Sequence, residues 1–334
     1  MYDIITFGSA SQDIYVKSKK FFTAGNGICV PPGLKTEVDD LAIFSGGGGT
    51  NAAATFANQG FKVAYCGMVG QDPFGRLAVE ELKKLKISCD LLKTTGKKST
   101  NISFFLTYPG KDRTILVYRG ASDELSRKDI PWAKIKKAKW FYLAPFGGRL
   151  ASLTGILIDF AKKNGIKIAL NPGYNQLTLP VKTLKEILQK IDILILNREE
   201  ASLLTGIPPQ KEKEIFKKID GLVRGISIMT KGGDGVIVSD GQNLFSAKSL
   251  ASSLGWKTVD ATGAGDAFGS GFVSGFLKSK GDIEYSIQLA MANATFNMLK
   301  WGAKDGLLKK NQKWPKIGVL KEACGKEGLC QTKS

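Results

Sequence analysis

Residues Asp260 to Phe272 read DATGAGDAFGSGF, and glycines at 263, 265, 269, 271 and, just beyond, 275 alternate with apolar residues at helical spacing. A glycine-rich turn feeding a helix N-terminus presents unpaired backbone N–H groups and the positive end of the helix dipole, and so holds a phosphate or an oxyanion. Asp266 stands inside this turn, where a carboxylate would repel a bound anion. The arrangement makes chemical sense if a neutral hydroxyl lies against the acid. The carboxylate then orients and finally deprotonates that hydroxyl, while the backbone N–H groups stabilise charge on a phosphoryl group in transfer. The competing account is that small residues only let this helix pack closely, and Gly269, Gly271 and Gly275 fit it.

Other uses of such a loop fail on spacing. Gly263-x-Gly265-x-x-x-Gly269 is one residue off the dinucleotide fingerprint and lies far from the N-terminal βαβ unit, so NAD or FAD is not expected. The P-loop pattern GxxxxGK[ST] is absent. The 334 residues include no histidine, which removes Ser-His-Asp and Cys-His triads and histidine-ligated catalytic zinc; proton transfer falls to other groups, carboxylates first.

The formal net charge of +18 suits an acidic partner. The lysines, however, lie in stretches such as KIKKAK and KEKEIFKK that look like solvated helix faces, with no RNP motif or zinc finger beside them, so nucleic acid is not an expected partner. Cys29, Cys66, Cys89, Cys324 and Cys330 form no CxxC and are too scattered for a disulfide framework; a reducing compartment is expected, with a Cys324–Cys330 bridge in the tail as the alternative. No run of 18 apolar residues and no leader pattern occurs, so a soluble cytoplasmic protein is expected.

The elements that must position this chemistry alternate along the chain. DIITFG, KVAYCGMVG, KWFYLAP, KIALNPG, DILILN and ISIMTKGG each predict a buried parallel strand ending in loop residues. GRLAVEELKKL, LTGILIDFAKK and VKTLKEILQK predict helices between them, and WKTVDA a strand leading into the glycine turn. Together they imply an α/β sandwich around a mostly parallel, doubly wound sheet. Residues 28–44 and 102–119 are extended without a helix; the second stretch predicts a hairpin turning at Pro109 to Asp112. These form a small β layer, with lid strands at about 13–44 and 98–120 inserted in a single domain of residues 1–315. A third hairpin turns at Asp240-Gly241, and residues 316–334 are expected to be a loosely attached tail.

The stretch Asp260 to Phe268 closely resembles the C-terminal signature of the ribokinase, or PfkB, family of carbohydrate and nucleoside kinases. The resemblance runs through nearly the whole chain: GSASQD with Asp13, SGGGGTNAAA with Asn51, VGQDPFG, Asn197-Arg-Glu-Glu200, TKGGDGV and ANATFNMLKWGA follow in family order. It implies a ribokinase-like three-layer α/β/α sandwich with a β-sheet lid, and ATP-dependent transfer of the γ-phosphoryl group to a hydroxyl.

Asp266 would be the catalytic base, and the N–H groups of Gly263, Ala264 and Gly265 the anion hole. Asn197 and Glu200 would organise Mg²⁺ through its waters, although a helix start with surface acids gives the same pattern. Asp13, Gly47, Gly48 and Asn51 would line the acceptor pocket, and Thr230, Gly232 and Asn293 would lie along the nucleotide. Asp260, Thr262 and the turn at Gly302 to Gly306 occupy the positions of a monovalent cation site, taken by K⁺ in ribokinase-like members; Gly306 stands where ribokinase itself has a side-chain hydroxyl. Ala54 holds the position where members acting on sugar phosphates usually carry an arginine. An unphosphorylated sugar is therefore the expected acceptor, ahead of a nucleoside and then a sugar phosphate. Arg119, Lys111 or Arg113 could still clamp a phosphate from the lid. A non-catalytic nucleotide or nucleic-acid binding protein would be expected to lose Asp266 or Glu200, and both are present. The family also commonly dimerises through the lid, so a homodimer is expected.

Overall fold

The protein is described by a computed structural model covering residues 1–25, 27–108 and 113–324. Each of the six apolar runs becomes a strand. Val63–Cys66, Ile4–Phe7, Trp140–Leu143, Lys167–Leu170, Ile193–Asn197 and Ile226–Thr230 lie side by side in that order, all parallel. The hairpin of Val236–Ser239 and Asn243–Ala247 continues the sheet antiparallel, and Leu320–Ala323, within the expected tail, adds a ninth strand beyond it. The parallel strands are buried on both sides, which is why their sequences are unbroken apolar runs.

One face of the sheet is covered by Gly48–Asn58, Pro73–Lys84, Ala264–Lys278 and Ile283–Met298, through Phe56, Leu82, Phe272 and Ile287. The other is covered by Leu153–Lys163, Val181–Leu188, Arg198–Thr205 and Glu212–Leu222, through Leu157, Leu188 and Phe216. The result is a three-layer α/β/α sandwich. Helices Ala264–Lys278 and Ile283–Met298 approach closely because of the later glycines: a Cβ on Gly275 would lie 2.7 Å from Ser286 Cα, and one on Gly271 3.0 Å from Ala290 Cα. Gly269 serves a different neighbour, the Tyr142 hydroxyl, 2.5 Å from where its Cβ would be. No helix among the described residues is long and apolar enough to cross a membrane.

The lid is a separate four-stranded sheet, in the order Thr114–Tyr118, Asn101–Thr107, Ser11–Lys17 and Asp40–Gly46. Asn101–Thr107 and Thr114–Tyr118 form the expected antiparallel hairpin, whose turn at Pro109 to Asp112 lies outside the described residues, as does Lys111. The extended stretch 28–44 is divided, since Gly27–Cys29 pairs with Phe22–Ala24 in a ribbon of its own. WKTVDA is not a strand. Its Val259 and Asp260 N–H groups both donate to Met298 O at 2.8 and 3.2 Å, so the segment is pinned to a helix end instead of a sheet edge. Cys324 is disulfide-bonded, against the expectation of reduced cysteines, while Cys330 lies outside the described residues.

VGQDPFG runs from strand Met68–Gly70, paired with Lys93–Thr95 in a small sheet of its own, into helix Pro73–Lys84. Asp72 caps helix Pro73–Lys84 by accepting the Gly75 N–H at 2.8 Å, and its other oxygen accepts the Thr100 N–H at 2.6 Å beside the lid strand. Partial burial pushes this carboxyl up, but the Thr100 and Gly75 hydrogen bonds outweigh it and hold the group below its usual range. A depressed folded pKa contributes stability above the unfolded value of about 3.9 that is lost as pH falls. Asp72→Ala should therefore destabilise by about 1–2 kcal/mol at pH 7, with the deficit shrinking below pH ~4 in thermal melts.

Candidate active site

The first turn of helix Ala264–Lys278 sits where two clefts meet at the carboxyl ends of the parallel strands, the usual place for ligands in a doubly wound sheet. Gly263 caps the helix with φ 72°, a left-handed conformation that glycine adopts without strain, and a Cβ there would stand 2.5 Å from Ala303 Cβ. Of the three expected anion-hole donors, the Ala264 N–H has a competing acceptor, Ala261 O at 3.2 Å.

On one side lies a cleft of about 320 Å³ lined by Ser9, Gly48, Arg119, Pro145, Asn175 and Asp266 among others. Asn51, from the helix opened by Gly47 and Gly48, donates from Nδ2 to Asp266 Oδ2 at 2.9 Å, and its buried Oδ1 has no partner. Gly48 keeps this wall open, since a Cβ there would be 3.2 Å from Asp266 Oδ1. Gly47 (φ 96°) lets the backbone pass Ser9 O, 2.5 Å from a Cβ position. Gly46 makes room for Asp13, whose Oδ2 would lie 2.0 Å from its Cβ. Asp13 is buried in strand Ser11–Lys17 and accepts the Ser11 hydroxyl at 3.0 Å.

Burial raises both Asp13 and Asp266. For Asp266 the rise is opposed by the Asn51 hydrogen bond and by Lys304; for Asp13, by Ser11, Ser103 and Lys304, with the Asp266 charge adding to it. Asp266 is thus a stronger base than an ordinary exposed carboxylate. Lys304 is a residue that sequence reasoning missed. It is buried and donates to Glu81 Oε2 at 2.7 Å and to Ser45 Oγ, and no motif spacing connects it with Asp13 or Asp266.

On the other side of the helix start is a larger, mostly apolar cleft of about 590 Å³, lined by Thr230, Gly232, Trp256, Ala264, Gly265, Phe268, Met291, Thr295 and Met298 among others. Thr230 and Gly232 are therefore brought to it. Asn293 is not: it is fully buried, its Nδ2 donates to Ala267 O at 2.8 Å and Thr55 Oγ1 at 3.2 Å, and its Oδ1 accepts the Leu308 N–H at 2.9 Å. That set ties three segments together and leaves no group for a nucleotide.

Asn197 and Glu200 form a capping box at the start of Arg198–Thr205, each side chain accepting the other's backbone N–H at 2.8 Å. The helix-start reading of this pair is thus realised, but the cap does not exhaust it. Burial, with Asp266 and Glu199 adding like charge against the Asn197 hydrogen bond, pushes Glu200 up to about 7. An acid under such repulsion is a suitable partner for a cation. No cluster of three or more His, Cys, Asp or Glu exists among the described residues, so a metal here would depend on water and ligand oxygens.

Asp260 is buried beneath the turn and is saturated with donors. Its Oδ1 accepts the Thr262 N–H (2.9 Å) and hydroxyl (2.7 Å), and its Oδ2 accepts the Tyr15 hydroxyl (2.8 Å) and the Gly302 N–H (3.1 Å). Arg113 Nη1 lies 4.0 Å from Oδ1, so this arginine faces Asp260 rather than the acceptor cleft.

A carboxyl raised on folding contributes stability present below its unfolded value, here about 4.5, and lost as pH rises through the folded value of about 7. Glu200→Gln keeps the cap and removes the titration. The variant should gain in melting temperature relative to the parent between pH 5 and pH 8 without added metal; a difference that is flat with pH would contradict a Glu200 raised by burial and its acidic neighbours.

Residues 1–310 match the model of the pfkB family carbohydrate kinases. The chain is 28% identical to a ribokinase of Lactococcus lactis over 324 residues, covering 96% of this chain and 98% of that one. It is 25% identical to an ATP-dependent 6-phosphofructokinase of Thermoanaerobacterium thermosaccharolyticum, covering 90% and 89%. Its fold matches the Arabidopsis thaliana ribokinase solved with ribose and ATP at a TM-score of 0.77, with 22% identity over 92% and 96% of the two chains. With that family match spanning nearly its whole length and a ribokinase-like sandwich beneath it, the chain belongs to the pfkB family of carbohydrate kinases and is a kinase acting on sugars.

Proposed function

We propose that the acceptor is an unphosphorylated sugar of the ribose type, with Asp266 as base. One observation carries the reading: Asp266 stands at the N-terminus of a glycine-opened helix with its Oδ2 held by Asn51. Its carboxylate, raised by burial, takes the acceptor hydroxyl's proton as the bond to phosphorus forms. Gly263 and Gly265 turn their N–H groups to the moving phosphoryl group, and Ala264 can join them by giving up its contact with Ala261. Asp13 and the unpartnered Asn51 Oδ1 accept hydroxyls of the sugar, which cannot then bind without them. Thr230 and Gly232 border the ATP cleft.

Mg²⁺ bound with ATP would neutralise triphosphate charge. Glu200 and Asn197 would hold its waters, and the burial of Glu200 beside the like charges of Asp266 and Glu199 is the observation that fits them to a cation. The ribokinase relatives and Ala54, which leaves that helix without a phosphate-binding arginine, support a free sugar. The phosphofructokinase relative and Arg119 at the cleft favour a sugar phosphate as the second reading. ADP release measured across sugars, nucleosides and sugar phosphates should be fastest with ribose or a similar free sugar; a preference for a sugar phosphate would reassign Arg119 as its clamp. Asp266→Asn should lower kcat by about 10²- to 10⁴-fold with little change in KM, and near-normal turnover would remove it as base.

The lid also supports a homodimer. Leu116, Phe104, Ile14 and Ile43 are register partners across the four strands and form an apolar row on one face, with Leu116, Phe104 and Ile43 exposed. A row of this kind on a projecting sheet is the mark of an interface. Light scattering on the eluting protein should give a dimer that Leu116→Lys with Ile43→Lys converts to monomer; a monomeric parent would contradict this.

A further inference from the structure

The cation site implied by the resemblance does not fit this chain, and the reasons lie in three places. Both Asp260 oxygens are taken by four hydrogen bonds from Tyr15, Thr262 and Gly302. The Thr262 carbonyl accepts the Asn297 amide at 2.9 Å. At Gly306 a hydroxyl-bearing side chain has no room: a Cβ there would lie 2.1 Å from Phe296 O and 2.7 Å from Asn297 Cα. Asn297 Oδ1 is left without a hydrogen-bond partner, but one neutral amide oxygen does not replace such a cage.

What this chain offers Asp260 is a charge of its own. Arg113 precedes lid strand Thr114–Tyr118, and its Nη1 lies 4.0 Å from Asp260 Oδ1. Its guanidinium is held over the Phe105 ring, 5.9 Å from the centroid, and Phe105 is stacked on Tyr15 at 4.4 Å. Tyr15 in turn meets Trp301 and Phe44 edge-on and donates to Asp260. A buried carboxylate is costly unless paired, and a pair at this separation is stronger in a part-buried site than in water.

We propose that Arg113 is the built-in cation of the phosphate turn: it supplies from the lid the positive charge beside Asp260, so the enzyme needs no potassium and its anion hole is ordered only when the lid is seated. Arg113 is a positioning residue, acting on Gly263 and Gly265 through Asp260 and Thr262. The proposal rests on the kinase reading for its rate effects, but not for its binding test.

Two measurements at constant ionic strength test it, each in K⁺, Na⁺ and tetramethylammonium. In thermal melting, which needs no turnover, the parent should melt at the same temperature in all three; a rise specific to K⁺ would reveal a bound ion and overturn the proposal. In ADP release with the best acceptor, the parent should vary by less than twofold. Arg113→Met should lose about tenfold or more in kcat and Arg113→Lys should keep most of it. A parent activated tenfold by K⁺, or an Arg113→Met with full turnover, overturns it. Absence of ADP release under every cation would count against the kinase reading alone, and the melting comparison would still decide the cation.

Discussion

The candidate site depends on keeping carboxylates out of water beside the start of a glycine-opened helix. Asp266 and Glu200, at the carboxyl edge of the parallel sheet, and Asp13, on the adjoining lid strand, are all pushed up chiefly by burial. Left alone such groups would take up protons or draw in solvent. Each has instead a partial answer: Asn51 for Asp266, Ser11 and Ser103 for Asp13, the Asn197 N–H for Glu200, and the buried charge of Lys304 for the first two. Compensation is incomplete, and incomplete compensation is what makes a carboxylate useful as a base.

The glycines acquire meaning from this constraint. Gly46 and Gly48 are small so that Asp13 and Asp266 can occupy the space beside them, while Gly263 turns the chain into the helix whose N-terminus faces the same point. Gly269, Gly271 and Gly275 then set how deeply that helix beds against Tyr142 and helix Ile283–Met298. Asp260 ties the turn to the lid through Tyr15 and to the last turn through Gly302, so that the lid and the glycine turn share one scaffold.

Much of this was legible in the chain. The six parallel strands are long apolar runs with β-branched residues, and the signature around Asp266 carries its own chemistry in adjacent positions. What was not legible comes from contacts distant in sequence. Asn293 lies in a motif beside the larger cleft, yet Leu308 and Ala267 claim its side chain from 15 and 26 residues away. Lys304 reaches Glu81 across 223 residues, and no periodicity reports that. WKTVDA has strand composition, but its N–H groups meet a helix end before they meet a sheet edge. Arg113 reads from the sequence as a phosphate clamp, but in the fold it lies over Phe105, which stacks on Tyr15, with its Nη1 4.0 Å from Asp260.

The central claim is that the carboxylate and the glycine turn act together on one hydroxyl and one phosphorus. Phosphorus-31 NMR of the protein with ATP, Mg²⁺ and ribose tests it directly. The account predicts ADP and a sugar phosphomonoester appearing in equal amounts, with no excess of inorganic phosphate. Inorganic phosphate released without the ester, or no consumption of ATP with any hydroxylated acceptor, would contradict it.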